Sequence, residues 1–512
     1  MPTTTTNVLL IQVDQMQAAC LGCAGHPDLV TPNLDRLAAA GTRFTRAYCN
    51  NPVCTPSRMS TITGLLPSQH GVLTNGQRPV RDQRTFPQAL AEAGYRTHCV
   101  GKCHFEPFMH VPAGLEAQRA DDAWPPTSWE DQSLWDTGVI ESLPSPYYGY
   151  QSTDYLGGHV DYHFGAYRRW LLDRHPELAD AYSRDASPRS STAQADVWPL
   201  AIPREAHYND WIVDRGCRFL DAIGETPFLL TCSFPDPHHP FCACPPFCDQ
   251  YDLDALALPD TWAANDDLHP LLARRRAAAR HFGPGAPEAA LRAAMAQTYG
   301  MISHLDDCIG RLLDRLDRNG LGERTVVIFH ADHGEYLGAH GLLYKGPSPY
   351  EAVQTVPLIC RAPDGRAGQI RDDVISLVDL APTVLDYAGL ESSVLDRRRR
   401  LVGDDHPLPG RSLRAALAGA ADADRPAFLA YDDDFQDGPM LRYRGVVRTR
   451  YKLGIYAGEG DGILVDLAVD PEERHNRWND PALAGIRAEL LHELALGLAC
   501  HDRLDQSRVC GA

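Results

Sequence analysis

An α/β fold is expected from this sequence: a large, mainly parallel sheet sandwiched by helices, followed by a smaller C-terminal α+β subdomain with an antiparallel sheet. Three observations carry the expectation. Apolar, β-branched runs of strand length alternate with helix-period segments up to about residue 420. Several of those runs stop abruptly at charged or histidine residues, as strands do where an open sheet meets solvent. Beyond residue 420 the pattern changes to short alternating runs, which suit antiparallel strands. The length of 512 residues exceeds one ordinary core and matches a domain over 1–420 with a second over 421–512.

Asn7 to Val13 is an apolar run ending in Asp14-Gln15, which predicts a buried parallel strand. Thr31-Pro32-Asn33-Leu34 opens a helix with proline near its start. Thr42 to Tyr48 reads as a short strand, and Ser57 to Thr63 as a helix behind the Cys54 loop. Tyr95 to Val100 is a strand ended by Gly101-Lys102. Residues 121–170 hold 11 aromatics in 50 positions, against 8% aromatics overall. They belong to an insertion over 121–205 that either packs as an irregular layer, also against another subunit, or walls a pocket by stacking on a substrate. Phe228 to Ser233 is a strand entering the turn Pro235-Asp236-Pro237-His238-His239-Pro240. Residues 291–318 form a long amphipathic helix, and Thr325 to Phe329 a strand ending at His330-Ala331-Asp332-His333-Gly334. Arg397 to Arg400 read as a solvated loop. Gly445 to Tyr451 alternates as an antiparallel strand does, and residues 482–499 form a terminal helix. The polar candidates thus gather after the C-terminal ends of strands, where open α/β sheets bind ligands.

Composition narrows the function. A formal net charge of −19 sets the chain against nucleic acid as a partner. An anionic substrate would need a local positive pocket. The apolar runs are strand-sized rather than bilayer-sized, and Met1-Pro2-Thr3-Thr4-Thr5-Thr6 lacks the features of a signal peptide, so a cytoplasmic protein without membrane attachment is expected. Fifteen scattered cysteines suit a reducing compartment. Cys20-x-x-Cys23 and Cys242-x-Cys244-x-x-x-Cys248 could bind a soft metal, but neither has a matching second pair.

The run Cys54-Thr55-Pro56-Ser57-Arg58, followed by Thr63-Gly64, resembles the C-x-P-S-R…T-G element of the type I sulfatases, of the alkaline phosphatase superfamily. In that family the cysteine is oxidised after translation to formylglycine, whose hydrate is the nucleophile. Gly101-Lys102-Cys103-His104 resembles the family's G-K-x-H element, and Pro237-His238-His239-Pro240 its P-H-x-P turn. Tyr344-Lys345-Gly346…Tyr350-Glu351…Val356-Pro357 resembles its K…YE…VP element. Tyr451-Lys452-Leu453 and Asp466 to Asn476 are similar to its C-terminal subdomain. The pairs Asp14-Gln15 and Asp332-His333 resemble the two halves of its metal site, in the variant of the choline-sulfatase-like and phosphonate monoester hydrolase branches.

The resemblance implies an alkaline-phosphatase-like fold and a sulfuric ester hydrolase. It implies Asp14, Gln15, Asp332, His333 and modified Cys54 as ligands of one divalent cation. Oxygen ligands suit Ca²⁺ or Mg²⁺ and the imidazole pulls toward Mn²⁺; the resemblance favours Ca²⁺, with Mn²⁺ or Mg²⁺ as alternatives. Lys102, Lys345 and Arg58 would neutralise the sulfuryl oxygens. His238 would protonate the leaving alkoxide and His104 would remove the proton that lets a covalent sulfo-enzyme expel sulfate. Asn75 falls where related hydrolases touch the substrate. A sulfated small molecule or sugar is the expected substrate, a formylglycine-generating enzyme the maturation partner, and a homo-oligomer is possible through the tail Arg503 to Ala512. A phosphonate monoester or phosphodiester hydrolase is the alternative, although that branch tends to carry Tyr and Thr where Lys102 and His104 stand. A non-catalytic sulfatase-like protein is the third reading.

Overall fold

The computed structural model describes residues 6–79, 83–108, 128–188, 196–263, 269–273, 288–346, 349–395, 408–421, 424–433 and 441–501. Residues 121–127 of the aromatic-rich segment, the run Arg397 to Arg400 and the tail from Arg503 lie outside them.

Nine strands build the main sheet: β1 (Asn7–Val13), β2 (Thr42–Tyr48), β3 (Arg96–Gly101), β4 (Ser152–Gly157), β5 (Phe164–Gly165), β6 (Phe228–Phe234), β7 (Thr325–Ala331), β8 (Thr355–Arg361) and β9 (Gln369–Ser376). Their order is β5-β4-β3-β6-β1-β7-β8-β2-β9. The block β4-β3-β6-β1-β7 is parallel throughout. β8 runs antiparallel between β7 and β2, and β9 joins β2 in parallel. Every residue of β1, β6 and β7 is buried. That explains why these three read as unbroken apolar runs, since helices cover both faces. β8 carries Pro357 in its interior, which hides it from a strand reading.

Register determines what this sheet presents. Val13 pairs with both Phe234 and Ala331, and Gly101 pairs with Ser233. The four central strands therefore stop at one level. Asp14, Lys102, Pro235 and Asp332 leave the sheet side by side. Backbone bonds carry the ladder one residue further: Asp14 N to Asp236 O, Lys102 N to Ser233 O and Asp332 N to Val13 O, at 3.1, 2.9 and 3.1 Å. Gly101, with φ +98°, lies where a Cβ would meet the Ser233 carbonyl at 1.9 Å, so no larger residue lets the strand turn into Lys102 here.

The helix expected from Ser57 starts three residues earlier and spans Cys54–Thr63. Pro56 does not stop it, because a proline in the first turn lacks only an N–H that has no intrahelical partner there. The long helix spans Glu288–Arg318. The C-terminal region is a separate antiparallel sheet in chain order: β10 (Ala427–Asp433), β11 (Leu441–Val447), β12 (Tyr451–Tyr456) and β13 (Gly462–Asp466). The helix Ala484–Cys500 seals one face, with Leu490 and Leu494 against Val446, Leu453 and Leu464. This sheet supports the Cys54 loop directly. The side-chain amides of Asn50 and Asn51 donate to the β10 carbonyls of Phe428 and Ala430 at 2.9 and 2.8 Å. Buried Lys452 ion-pairs with Glu351 at 2.8 Å and with Glu473. No helix among the described residues is long and apolar enough to cross a membrane.

Candidate active site

Cys54 is the first residue of its helix and is fully buried, so its thiol faces a helix N-terminus, where backbone N–H groups favour negative charge. Its Sγ lies 3.1 Å from Lys345 Nζ, 3.8 Å from Lys102 Nζ, 3.3 Å from His333 Nε2 and 3.5 Å from Asp14 Oδ1. Arg58, one turn along the same helix, is 1% exposed and ties the strand ends together. Its Nε donates to Asp332 Oδ2 at 2.7 Å and its two terminal nitrogens to Asp14 Oδ2 at 3.1 Å and the Lys102 carbonyl at 3.0 Å. A fully buried arginine is tolerable only with such complete pairing. Lys102 Nζ also donates to Asp14 Oδ2.

These charges set the protonation states. Burial pushes the Asp14 carboxyl up, but Lys102, His238 and Arg58 together hold it well below the usual carboxylate range. Burial and Asp14 push the Cys54 thiol up, and Lys102, Lys345 and His333 bring it below its ordinary value. Burial and then the Lys102 and Arg58 charges lower His104. Burial, with His159 and Lys345, lowers His238. Both imidazoles therefore rest neutral and can take up a proton.

The expected ligand set converges. One donor atom from each of Asp14, Cys54, Asp332 and His333 lies within 4.8 Å of the others, all buried. Gln15 completes it in a telling way. Its backbone sits in the left-handed region (φ 59°), and its amide nitrogen is held by His239 Nδ1 at 2.9 Å and by the Glu335 carboxylate. Its Oε1 is buried and has no partner among the described residues. Gln15 N donates to Asp332 Oδ1 at 3.1 Å, and an orphaned buried carbonyl oxygen on a residue so tied to the cluster is what a divalent cation would satisfy, so the residues fit the group.

The other expected residues fall around this centre. His238 Nε2 accepts from Lys345 Nζ at 2.6 Å. His104 is 2% exposed, has a left-handed backbone (φ 51°), and its Nδ1 lacks a partner among the described residues. Asn75 Oδ1 accepts from the Thr55 amide at 2.9 Å, so its carbonyl oxygen braces the nucleophile loop. The cysteine clusters make no disulfide among the described residues. Cys244 Sγ instead lies 3.4 Å from His304 Nδ1, whose Nε2 bonds Asp210 at 2.6 Å.

Three residues escape a reading of the sequence. His159 follows β4 through Gly158, bonds Lys102 Nζ with Nε2, and stacks on His238. Glu130 accepts from the amides of His104, Phe105 and Glu106 at 2.7, 2.8 and 3.2 Å and from the hydroxyls of Tyr147 and Tyr155 at 2.8 and 3.0 Å. Glu335 fixes Gln15. Each is an isolated residue in unremarkable context, with no local signal. The aromatic-rich segment proves mostly a packing layer: Tyr147, Tyr150, Tyr155, Phe164 and Tyr167 are buried at 2% exposure or less. Tyr162 reaches the centre, with its hydroxyl 2.7 Å from His159 Nδ1.

Fold and site together suit a hydrolase for esters of a tetrahedral oxyanion: a buried cysteine at a helix N-terminus, two lysines and an arginine around it, and a cluster of candidate cation ligands. A sequence model of the sulfatase family matches residues 6–390, and one for the C-terminal part of N-sulphoglucosamine sulphohydrolase matches 338–497. The chain belongs to the sulfatase family and is, with it, a sulfuric ester hydrolase. It is similar to an arylsulfatase of Clostridium perfringens (29% identity, 75% of this chain and 74% of that one) and to a choline-sulfatase of Rhizobium meliloti (25%, 94% and 84%). Among solved structures it resembles the phosphonate monoester hydrolase of Agrobacterium radiobacter, with a TM-score of 0.77 at 27% identity over 97% of this chain and 96% of that one.

Proposed function

We propose that this protein hydrolyses sulfate monoesters of a small molecule or sugar, with a formylglycine made from Cys54 and one divalent cation, Ca²⁺, held by Asp14, Gln15, Asp332 and His333. The observation that carries the reading is the Cys54 thiol at a helix N-terminus with two lysine ammonium groups, Asp14 and His333 within 3.8 Å. Converted to formylglycine by a formylglycine-generating enzyme, residue 54 would supply a hydrated aldehyde as nucleophile. The cation would lower that nucleophile's pKa and neutralise charge on the sulfuryl oxygens.

The side chains divide the remaining work. Lys102 and Lys345, 3.8 and 3.1 Å from Sγ, hold the non-bridging oxygens as charge shifts in the transition state. Arg58 pairs with both Asp14 and Asp332 and aims them at the centre. His238 relays to the leaving oxygen a proton that its Nε2 takes from the Lys345 ammonium, while its own ring proton stays on Nδ1 against the His239 carbonyl. His104, neutral and with an Nδ1 that has no partner among the described residues, takes up the proton released when sulfate departs. The division of the chain near residue 420 goes with this reading: 1–420 carries the chemistry and 421–512 braces the nucleophile loop.

A second reading, hydrolysis of phosphonate monoesters or phosphodiesters, draws on the Asp-Gln and Asp-His pairs and on the likeness to a phosphonate monoester hydrolase. Lys102 and His104 favour the sulfate. The test is the mass of the tryptic peptide 47–58 alongside turnover of 4-nitrophenyl sulfate. The aldehyde mass, with activity abolished in Cys54→Ala, is expected. Full activity with an unmodified thiol would overturn the nucleophile.

A further inference from the structure

His159 belongs to no motif and to none of the roles assigned above, yet it touches two of the groups that hold them. The imidazoles of His159, His238 and His239 form a stack. His159 and His238 lie 3.6 Å apart between centroids at 6°, and His238 and His239 4.2 Å apart at 24°. His238 is thus sandwiched on both faces. In its plane it is held at Nδ1 by the His239 carbonyl and at Nε2 by Lys345 Nζ, 2.6 Å away. Turning the ring would break both in-plane contacts and drive its edge into a neighbouring face.

His159 is itself fixed. Lys102 Nζ meets its Nε2, and an ammonium group only donates, so Nε2 carries the lone pair. The ring proton is then on Nδ1, which donates to the Tyr162 hydroxyl oxygen at 2.7 Å. Gly158 sets the approach: its φ is +75°, and a Cβ there would meet the Tyr162 carbonyl at 2.2 Å. A neutral ring, clamped between Lys102 and Tyr162, lies flat on the face of His238.

We propose that His159 is a positioning residue for the proton donor His238, and that Tyr162 holds His159 in the plane this requires. The proposal rests on the reading of His238 as the donor to the leaving oxygen. A proton donor is useful only within hydrogen-bond reach of the oxygen it serves, and a displacement of about 1 Å can cost two orders of magnitude in rate. The need for that proton grows with the basicity of the leaving group. Loss of alignment therefore has a signature that general loosening of the pocket lacks: a selective penalty on poor leaving groups.

The experiment compares kcat/KM for 4-nitrophenyl sulfate and phenyl sulfate in the wild-type enzyme and in His159→Ala, Tyr162→Phe and His238→Ala. In His159→Ala, phenyl sulfate should lose about tenfold more than 4-nitrophenyl sulfate, from the share of general acid catalysis that alignment controls. Tyr162→Phe, which keeps the ring and removes only the hydroxyl, should show the same selectivity at about threefold, a fraction of one hydrogen bond. It carries the test alone if His159→Ala does not fold. Equal losses on both substrates, or none, would overturn the proposal, provided His238→Ala penalises phenyl sulfate selectively. If His238→Ala shows no such selectivity, the reading of His238 as proton donor fails first.

Discussion

Replacing Glu130 by glutamine isolates a single hydrogen bond that supports His104. The carboxylate has two oxygens with distinct duties. Oε1 takes the amides of Phe105 and Glu106 and the Tyr147 hydroxyl, whereas Oε2 takes the His104 amide at 2.7 Å and the Tyr155 hydroxyl at 3.0 Å. A glutamine has one acceptor to offer. It serves two amides if its oxygen takes the Oε1 place, and its NH₂ then faces the His104 N–H, donor to donor. Tyr155 can rotate and accept; the amide cannot. The strained, left-handed His104 would lose its anchor. A bond to a charged acceptor contributes about 1.5–3 kcal/mol. If the loss is felt in the transition state, kcat falls about 10- to 100-fold at about 1.4 kcal/mol per decade, while KM barely moves. The measurement is made at pH 8 on 4-nitrophenyl sulfate, alongside urea unfolding. Burial, reinforced by Glu106, raises the Glu130 carboxyl to about 7. The native protein therefore holds a proton across pH ~4.5–7 that the unfolded chain releases. The carboxyl's contribution is complete below about 4.5 and is lost as pH rises through 7, a change of about 3 kcal/mol that glutamine should remove. Full kcat in Glu130→Gln and an unchanged slope of stability with pH would refute the reasoning.

Three further outcomes are expected. Gln15→Ala removes the orphaned Oε1, and the Ca²⁺ concentration that restores activity after chelation should rise about 10- to 100-fold; an unchanged requirement would remove Gln15 from the ligand set. Cys54→Ser, which cannot become the aldehyde, should give at most one equivalent of 4-nitrophenol, and sustained turnover would contradict the nucleophile. Burial lowers buried His70 to about 3, so the unfolded chain binds a proton that the native one refuses. Its stability contribution is present above about 6.5 and is lost as pH falls toward 3, by up to about 5 kcal/mol. His70→Gln should flatten that acid limb, and an unaltered acid transition would count against it.

Much of the centre was legible because it lies on elements with strong local patterns. Asp14 and Asp332 follow strands whose residues are all buried, so the apolar run and its polar stop mark them. Lys102 and His238 likewise follow strand ends that register brings level. His159 and Glu130 were not legible, because their roles arise from pairing between distant segments: β4 beside β3, and a loop at 128–131 folded back on 104–106. Cys54 as a helix start was obscured by Pro56, whose usual meaning reverses in a first turn. The aromatic-rich segment announced importance without direction. Tyr147 and Tyr155 bond Glu130, and Tyr162 is placed beside the imidazole stack.

The most direct test of the central claim is kcat/KM for an aryl sulfate against the matching aryl phosphonate and phosphate diester, measured on one preparation with added Ca²⁺ or Mn²⁺. The account expects a preference for the sulfate of at least an order of magnitude, because two lysine ammonium groups and neutral histidines are matched to a sulfuryl group and its leaving oxygen. A preference for either phosphorus ester would leave the fold and the nucleophile in place and contradict the roles given to Lys102 and His104.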